Sequence, residues 1–263
     1  MKFRFHKLWY LVGLLVLLNA AAGVAVYQNA GRDYAKLYFF DVGQGDAIYL
    51  RTPQGNDVLV DAGPGDTVLG KLGRAMPFAD RTIELAILTH PHADHISGMV
   101  EILKRYRVEK MMLPEADYDS ATYRELLNRL LEKQVVIVRP KLGARIFLDG
   151  ETVLDIDYPA LGGAENHPSD INDVSVVARL SVGQTNVLLA GDAGKDIEEK
   201  LKQWNLPLDA EILKVGHHGS RHSTSDAFLA AVAPQYSVIS VGEGNRYGHP
   251  HEEVLGALRR AST

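Results

Sequence analysis

The sequence predicts an α/β protein folded as a four-layer αββα sandwich. Short β-rich runs bounded by Gly, Pro and Asn turns alternate with amphipathic stretches of helical spacing. The same progression, strands and then helices, occurs once in each half of the chain from Tyr34 onward. Two sheets that each need a helical cover on one face pack back to back with the helices outside.

In the first half, Ala35–Val42, Ala47–Arg51 and Asp57–Asp61 read as strands, and Thr67–Arg74 as a helix. Leu85–Thr89 is a continuous apolar run of strand length, which marks a strand buried on both faces. Ile96–Tyr106 and Tyr123–Lys133 carry helical periodicity. In the second half, Arg145–Leu148, Thr152–Tyr158, Val174–Leu180 and Asn186–Ala190 read as strands, Ile197–Trp204 as a helix and Ile212–Val215 as a strand. Asp226–Val232 is a helix, Ser237–Val241 a strand and Glu252–Arg259 a closing helix. No internal repeat points to a solenoid.

Residues 8–31 contain no Asp, Glu, Lys or Arg, and Lys2, Arg4 and Lys7 precede them. That is a basic region followed by an apolar one, the pattern of a targeting segment. Residues 1–33 are read as a signal peptide cleaved within Ala20–Gly23 or, preferably, an uncleaved anchor, because no small-residue site is followed by a clean polar start. The positive flank is N-terminal, so residues 34–263 face outward or are secreted. A helix buried in the soluble domain is the alternative.

The 263 residues are 46% hydrophobic and 23% charged, an ordinary globular balance. Net charge is −5, which argues against a broad basic surface for nucleic acid; any such contacts are local. With no cysteine, a metal here must be held by His and carboxylate.

The segment Thr89-His90-Pro91-His92-Ala93-Asp94-His95 closes the apolar run Leu85–Leu88. Pro91 keeps the backbone out of helix, so the side chains of a strand-to-helix loop can converge on one point. Imidazole and carboxylate suit Zn, Mn, Fe or Co. A surface loop that is His-rich by chance has no reason to follow a buried strand.

This His-x-His-x-Asp-His segment resembles the signature of the metallo-β-lactamase superfamily. Phe40-Asp41-Val42-Gly43-Gln44-Gly45-Asp46-Ala47, Val60-Asp61-Ala62-Gly63, Ala190-Gly191-Asp192, Leu213-Lys214-Val215-Gly216-His217-His218-Gly219-Ser220 and Asn245-Arg246-Tyr247-Gly248-His249-Pro250 accompany it in order. Together they resemble the C-terminal hydrolase domain of the ComEC/Rec2 competence proteins and its free-standing secreted relatives. The resemblance implies two divalent metal ions, Zn or Mn. His90 and His92 would hold one, Asp94 and His95 the other, and Asp192 would bridge them. His217 or His218 would complete the second site, with the other near the substrate. The third histidine that many members place on the first metal is missing: Asn172 stands in that region, and His167 a few residues before it.

Catalysis by two adjoining ions needs no serine or cysteine nucleophile. On this reading Asp94, Asp192 and His249 are catalytic, and His218, Ser220, Asn245 and His249 contact substrate, with Arg221 a further candidate. His249, in a Gly-His-Pro turn, would donate to a phosphate oxygen or the leaving group. Asp61 would orient a ligand histidine; Asp41 and Asp46 would fix the Gly-rich turn; His222 and His251 would be bystanders. The function expected is extracytoplasmic hydrolysis of DNA or another phosphodiester, with the membrane as a partner through the N-terminal segment. The alternatives are an envelope phosphoester of the choline-phosphate type, a β-lactam and a non-catalytic metal-binding module.

Overall fold

The computed structural model describes residues 3–29, 34–159 and 170–263. Its contacts divide the chain into two units that meet between Tyr34 and Ala35. The first contains helix α1 (Phe3–Asn29), on which Trp9, Leu11, Leu15 and Leu17 are exposed. Among the described residues no helix is long and apolar enough to cross a membrane, so the membrane-spanning reading of this segment gains no support.

The second unit has two sheets. One orders β1 (Lys36–Phe39), β2 (Ile48–Arg51), β3 (Asp57–Val60), β4 (Thr82–Ile87), β5 (Arg107–Met112) and β6 (Val136–Val138) side by side. It begins antiparallel and becomes parallel from β3 onward. The other runs from β7 (Arg145–Phe147) through β8 (Thr152–Tyr158), β9 (Val177–Val182), β10 (Thr185–Leu189) and β11 (Ile212–Lys214) to β12 (Tyr236–Val238). Its β7–β10 pairings are antiparallel and its β10–β12 pairings parallel. Helices α2 (Thr67–Ala75), α3 (Ala93–Arg105) and α4 (Ala121–Glu132) pack on the first sheet; α5 (Lys195–Gln203), α6 (Asp226–Val232) and α7 (Glu252–Ala261) pack on the second.

The period-two alternation of strand side chains produces these layers. On β2, Ile48 and Leu50 enter the core between the sheets, while Tyr49 turns outward to the helices. On β4, Leu85 and Ile87 face the second sheet and Ala86 faces α3; on β10, Val187 and Leu189 face the first sheet and Leu188 the helices. Each sheet is therefore buried on both faces, as the expected αββα sandwich requires.

Several boundaries differ from the sequence reading. The chain forms β5 and β6 where no strand was expected. Arg107, Glu109 and Lys110 sit on the exposed positions of β5, so its composition reads as polar although Val108, Met111 and Met112 are buried. The strand expected from Val174 begins at Val177, because Ile171–Val174 turn as a short 3₁₀ helix whose first turn is fastened by Asp170 accepting from Asn172 N at 3.0 Å. Helix α3 starts at Ala93 rather than Ile96, with His92 as its N-cap residue. Asp94 and His95 are thus helical, and only His90 and His92 lie on the loop.

Candidate metal centre

The site forms where β4, β10 and β11 end, the usual place for a ligand crevice at the carboxyl ends of parallel strands. His90 follows β4, and α3 then presents Asp94 and His95 from its first turn, where a carboxylate is favoured by the helix dipole. Asp192 follows β10 through Gly191, whose φ of +53° turns the backbone and whose missing Cβ would lie 3.2 Å from the Thr89 Cβ. His217 and His218 follow β11, both left-handed with φ of 49° and 54°, a conformation bulky residues avoid unless their surroundings impose it. Gly45, at φ +134°, lets the Gly-rich turn touch α3: a Cβ there would lie 2.0 Å from the Asp94 carbonyl oxygen.

Each buried imidazole is held from outside by Nδ1, with Nε2 turned inward. The Asp61 carboxylate accepts from Thr89 N at 2.8 Å and Thr89 Oγ1 at 2.7 Å, and holds His95 Nδ1 at 2.8 Å. Thr89 Oγ1, having donated to Asp61, accepts from His90 Nδ1 at 3.1 Å. His218 Nδ1 donates to the Ser240 carbonyl oxygen at 2.9 Å. Fixing ring and tautomer by an outer partner is the arrangement metal-ligating histidines adopt. Asp61 fills the orienting role expected of it.

Inside, the Nε2 atoms of His90, His95, His217 and His218 lie 3.7, 3.5, 3.8 and 3.5 Å from a single atom, Asp192 Oδ2. Asp192 Oδ1 is buried with no hydrogen-bond partner among the described residues. His95 Nε2 and His218 Nε2 face each other at 3.3 Å, and His90 Nε2 faces His92 Nδ1 at 3.1 Å. His218 Nε2 is also 3.5 Å from Asp94 Oδ2. Donor atoms of His90, His95 and Asp192 form one close set, and those of Asp94, His95 and His218 an adjoining one. So many lone pairs aimed at shared points, one carboxylate oxygen otherwise unpartnered, fit two neighbouring divalent cations.

The geometry separates the two adjacent histidines. His218 is buried among Asp94, His95 and Asp192, while His217 is partly exposed and its ring lies 5.7 Å from that of His249. His249 stands at the mouth, its Nδ1 without a hydrogen-bond partner among the described residues and its ring 6.5 Å from His218. Two substrate candidates are turned inward on their own loops. The Asn245 amide donates to the carbonyls of Gly242 and His249 and accepts from Tyr247 N and His249 N, so it shapes the loop and has no group left for a phosphate. Ser220 is buried, and its Oγ accepts from His222 N at 3.3 Å. Arg221 is exposed beside Glu253 at 3.8 Å. The His251 ring lies 4.9 Å from that of His249, and its Nδ1 accepts from Arg221 N at 3.2 Å. Asn172 is buried with Oδ1 unpartnered among the described residues; His167 lies outside them.

The sequence reading placed Asp46 on the Gly-rich turn and missed its partner, Lys214. Asp41 does fasten the Gly-rich turn, accepting from Gly43 N, but Asp46 is fully buried and pairs with Lys214 Nζ at 2.7 Å. Its other oxygen is 3.5 Å from His218 Nδ1. The available signal was Lys214 itself, a charge set between Leu213 and Val215 in a buried strand. Tyr118, 5.8 Å from the His92 ring, and Tyr247, 5.6 Å from the His249 ring, were also missed.

The sequence matches the metallo-β-lactamase superfamily over residues 40–243. The chain belongs to the metallo-β-lactamase superfamily. It is 30% identical over 245 residues to ComE operon protein 3 of Bacillus subtilis (strain 168), covering 84% of this chain and 30% of that protein. It is 32% identical over 157 residues to competence protein ComA of Neisseria gonorrhoeae, covering 58% of this chain and 23% of that one. The chain thus spans under a third of the length of these relatives. Among solved structures, the metallo-β-lactamase fold protein YhfI of Bacillus subtilis superposes with a TM-score of 0.56 at 13% identity, covering 87% of this chain and 94% of YhfI. Members of the superfamily are metal-dependent hydrolases that hold divalent ions, usually two, and the His and Asp sets described above fit that role.

The charges of this metallo-β-lactamase centre are balanced by protons when no cation is bound. Burial alone would lower the pKa of His218, but the charge of Asp192 and the hydrogen bonds with Asp46 and Asp94 outweigh it and push it up to about 10. His95 is likewise raised well above the ordinary histidine value, since Asp192 and Asp61 overcome burial. Burial acts the other way on Asp94, yet contact with His218 and the charge of His95 bring it down to about 2. His90, lowered chiefly by burial and then by the charge of His95, is neutral. At pH 8 the metal-free centre therefore carries an imidazolium proton on His218, and a metal must displace it. Titration calorimetry in buffers of different ionisation enthalpy is expected to show proton release as the site of His218 fills. Proton-neutral binding would mean that the metal bypasses His218.

Proposed function

We propose that this chain is a dinuclear-metal phosphodiesterase acting on DNA outside the cytoplasmic membrane. The observation that carries the reading is the set of four imidazole Nε2 atoms around Asp192 Oδ2, with Asp94 beside them. His90, His92 and Asp192 would hold one ion, and Asp94, His95, His218 and Asp192 the other. When bound, two such ions activate water and clamp both oxygens of an in-line displacement at phosphorus.

The chain's own residues complete the site. Asp61, Thr89 and the Ser240 carbonyl hold the ligand rings, and Asp46 with Lys214 closes the far side of His218. Burial, assisted by the charges of His217 and His251, lowers His249 to about 4, so it is neutral at pH 7. A neutral imidazole offers one N–H to a phosphate oxygen and holds no second proton for a leaving group.

The relatives named for competence support DNA as the substrate, and the basic residues ahead of the uncharged segment 8–31 support an outward location. The donor set, full but for a third histidine on the first site, disfavours a non-catalytic module. The test is turnover of single-stranded DNA, double-stranded DNA and bis(p-nitrophenyl) phosphate by the chain with Mn²⁺ or Zn²⁺, beside choline-phosphate and β-lactam substrates. Metal-dependent cleavage of DNA is expected; turnover confined to choline phosphate or a β-lactam would replace this reading. Protease added to cells whose outer layer has been opened should digest the domain, and full protection would contradict the location.

A further inference from the structure

We propose that Arg246 and Tyr247 form a step on which an unpaired nucleobase stacks beside the metal centre, so that the substrate is single-stranded rather than duplex nucleic acid. The proposal rests on the phosphodiesterase reading above and goes beyond it by naming what selects the strand.

The step is a built feature of the loop that carries His249. Tyr247 N donates to Asn245 Oδ1 at 3.1 Å, and the same oxygen accepts from His249 N at 3.1 Å, so one amide sets the two residues relative to each other. The rings of Tyr247 and His249 lie 5.6 Å apart and 23° from parallel. His249 in turn packs 5.7 Å from His217, whose Nε2 reaches toward Asp192. The series of rings therefore runs from the metal-ligand cluster out to a tyrosine that is 48% exposed. The Arg246 guanidinium lies 4.9 Å from the Tyr247 ring centre and donates to its hydroxyl at 2.8 Å. Beside the step is a groove of about 500 Å³, lined by Glu243, Asn245, Gly248, His249 and Pro250 among others.

The chemistry of the step selects its ligand. A flat π-face beside a guanidinium suits a neutral base joined to an anionic phosphate, because the ring stacks on the base while the cation meets the phosphate. A quaternary ammonium such as choline would also seek an aromatic face, but here it would meet the like charge of Arg246. In a duplex both faces of each base are covered by its neighbours, so a base reaches a protein ring only after unstacking. Duplex binding by phosphate contacts alone needs many basic groups, and a chain of net charge −5 offers no such surplus.

The experiment measures binding of fluorescent oligothymidine by anisotropy on the full chain with chelator present, so that no turnover occurs. The same oligonucleotide made of abasic residues and a duplex of equal length serve as comparisons. Oligothymidine is expected to bind about 10-fold more tightly than either, from the stacking of one base. Tyr247→Ala should remove that advantage and leave abasic binding unchanged, while Tyr247→Phe, which keeps the ring, should retain it. Arg246→Ala should weaken both single strands and flatten their salt dependence. Equal losses on base-bearing and abasic strands in Tyr247→Ala, duplex binding as tight as oligothymidine, or displacement of oligothymidine by lower concentrations of choline phosphate than of thymidine monophosphate would each overturn the step. Because binding is read without turnover, a failure of the hydrolytic reading appears separately, as base-selective binding with no cleavage.

Discussion

Replacing Asp192 by Ala is expected to reduce phosphodiester hydrolysis to background. Both proposed ion sites include this carboxylate, and its Oδ2 is the atom on which His90, His95, His217 and His218 converge. Its loss also leaves the raised pKa of His95 and His218 without the negative charge that supports them, so the metal-free centre reorganises as well. His249→Ala should be milder, about 10²–10³-fold in kcat/KM, because removing one hydrogen-bond donor to developing charge costs on that scale. Metal content should survive in His249→Ala and fall in Asp192→Ala. Steady-state turnover and metal analysis on the same preparations check both. Equal activity of wild type and Asp192→Ala would assign the hydrolysis to a contaminant.

The second large effect is on stability and comes from the buried ion pair. Lys214 has no exposed surface and Asp46 almost none, and they lie 2.7 Å apart. Removing one partner of such a pair costs about 3–5 kcal/mol, because the survivor is left charged and unsolvated. Lys214→Met keeps the length of the side chain and strands the Asp46 carboxylate near Asp61 and Asp192. Urea unfolding of the metal-free protein is expected to show a loss of that order. Adding Asp46→Asn to Lys214→Met should recover part of it, since no buried charge then lacks a partner. A change under about 1 kcal/mol for Lys214→Met would mean that water reaches the pair.

How much was legible in the sequence depended on whether the signal was local. The run Leu85–Leu88 ending in His90, His92, Asp94 and His95 declares a buried strand and a metal-binding end within a few residues, so the αββα sandwich and the centre of the site could be read. Strand β5 was hidden because its outward positions, Arg107, Glu109 and Lys110, dominate its composition; its place between β4 and β6 is a tertiary fact. The start of α3 was misplaced because Asp94 and His95 look like loop ligands, although one helical turn suffices to aim both inward from His92. The choice between His217 and His218 was not local either, since it follows from two successive left-handed residues and from the Ser240 carbonyl that holds His218. Asp46 was read as a turn residue because its partner lies far along the chain, on β11. Asn245 was read as a substrate contact, yet its hydrogen bonds are spent on its own loop, a pairing set by the loop's fold and not by its sequence.

If the His and Asp cluster around Asp192 holds two metal ions, their number can be counted. The most direct test is to strip the chain with chelator, reconstitute it with Mn²⁺ or Zn²⁺ and count bound metal by mass spectrometry against protein concentration. Two ions per chain are expected at saturation, with the site of His90 and His92 filling last because its third histidine is missing. Finding no bound metal after reconstitution with either ion would contradict it.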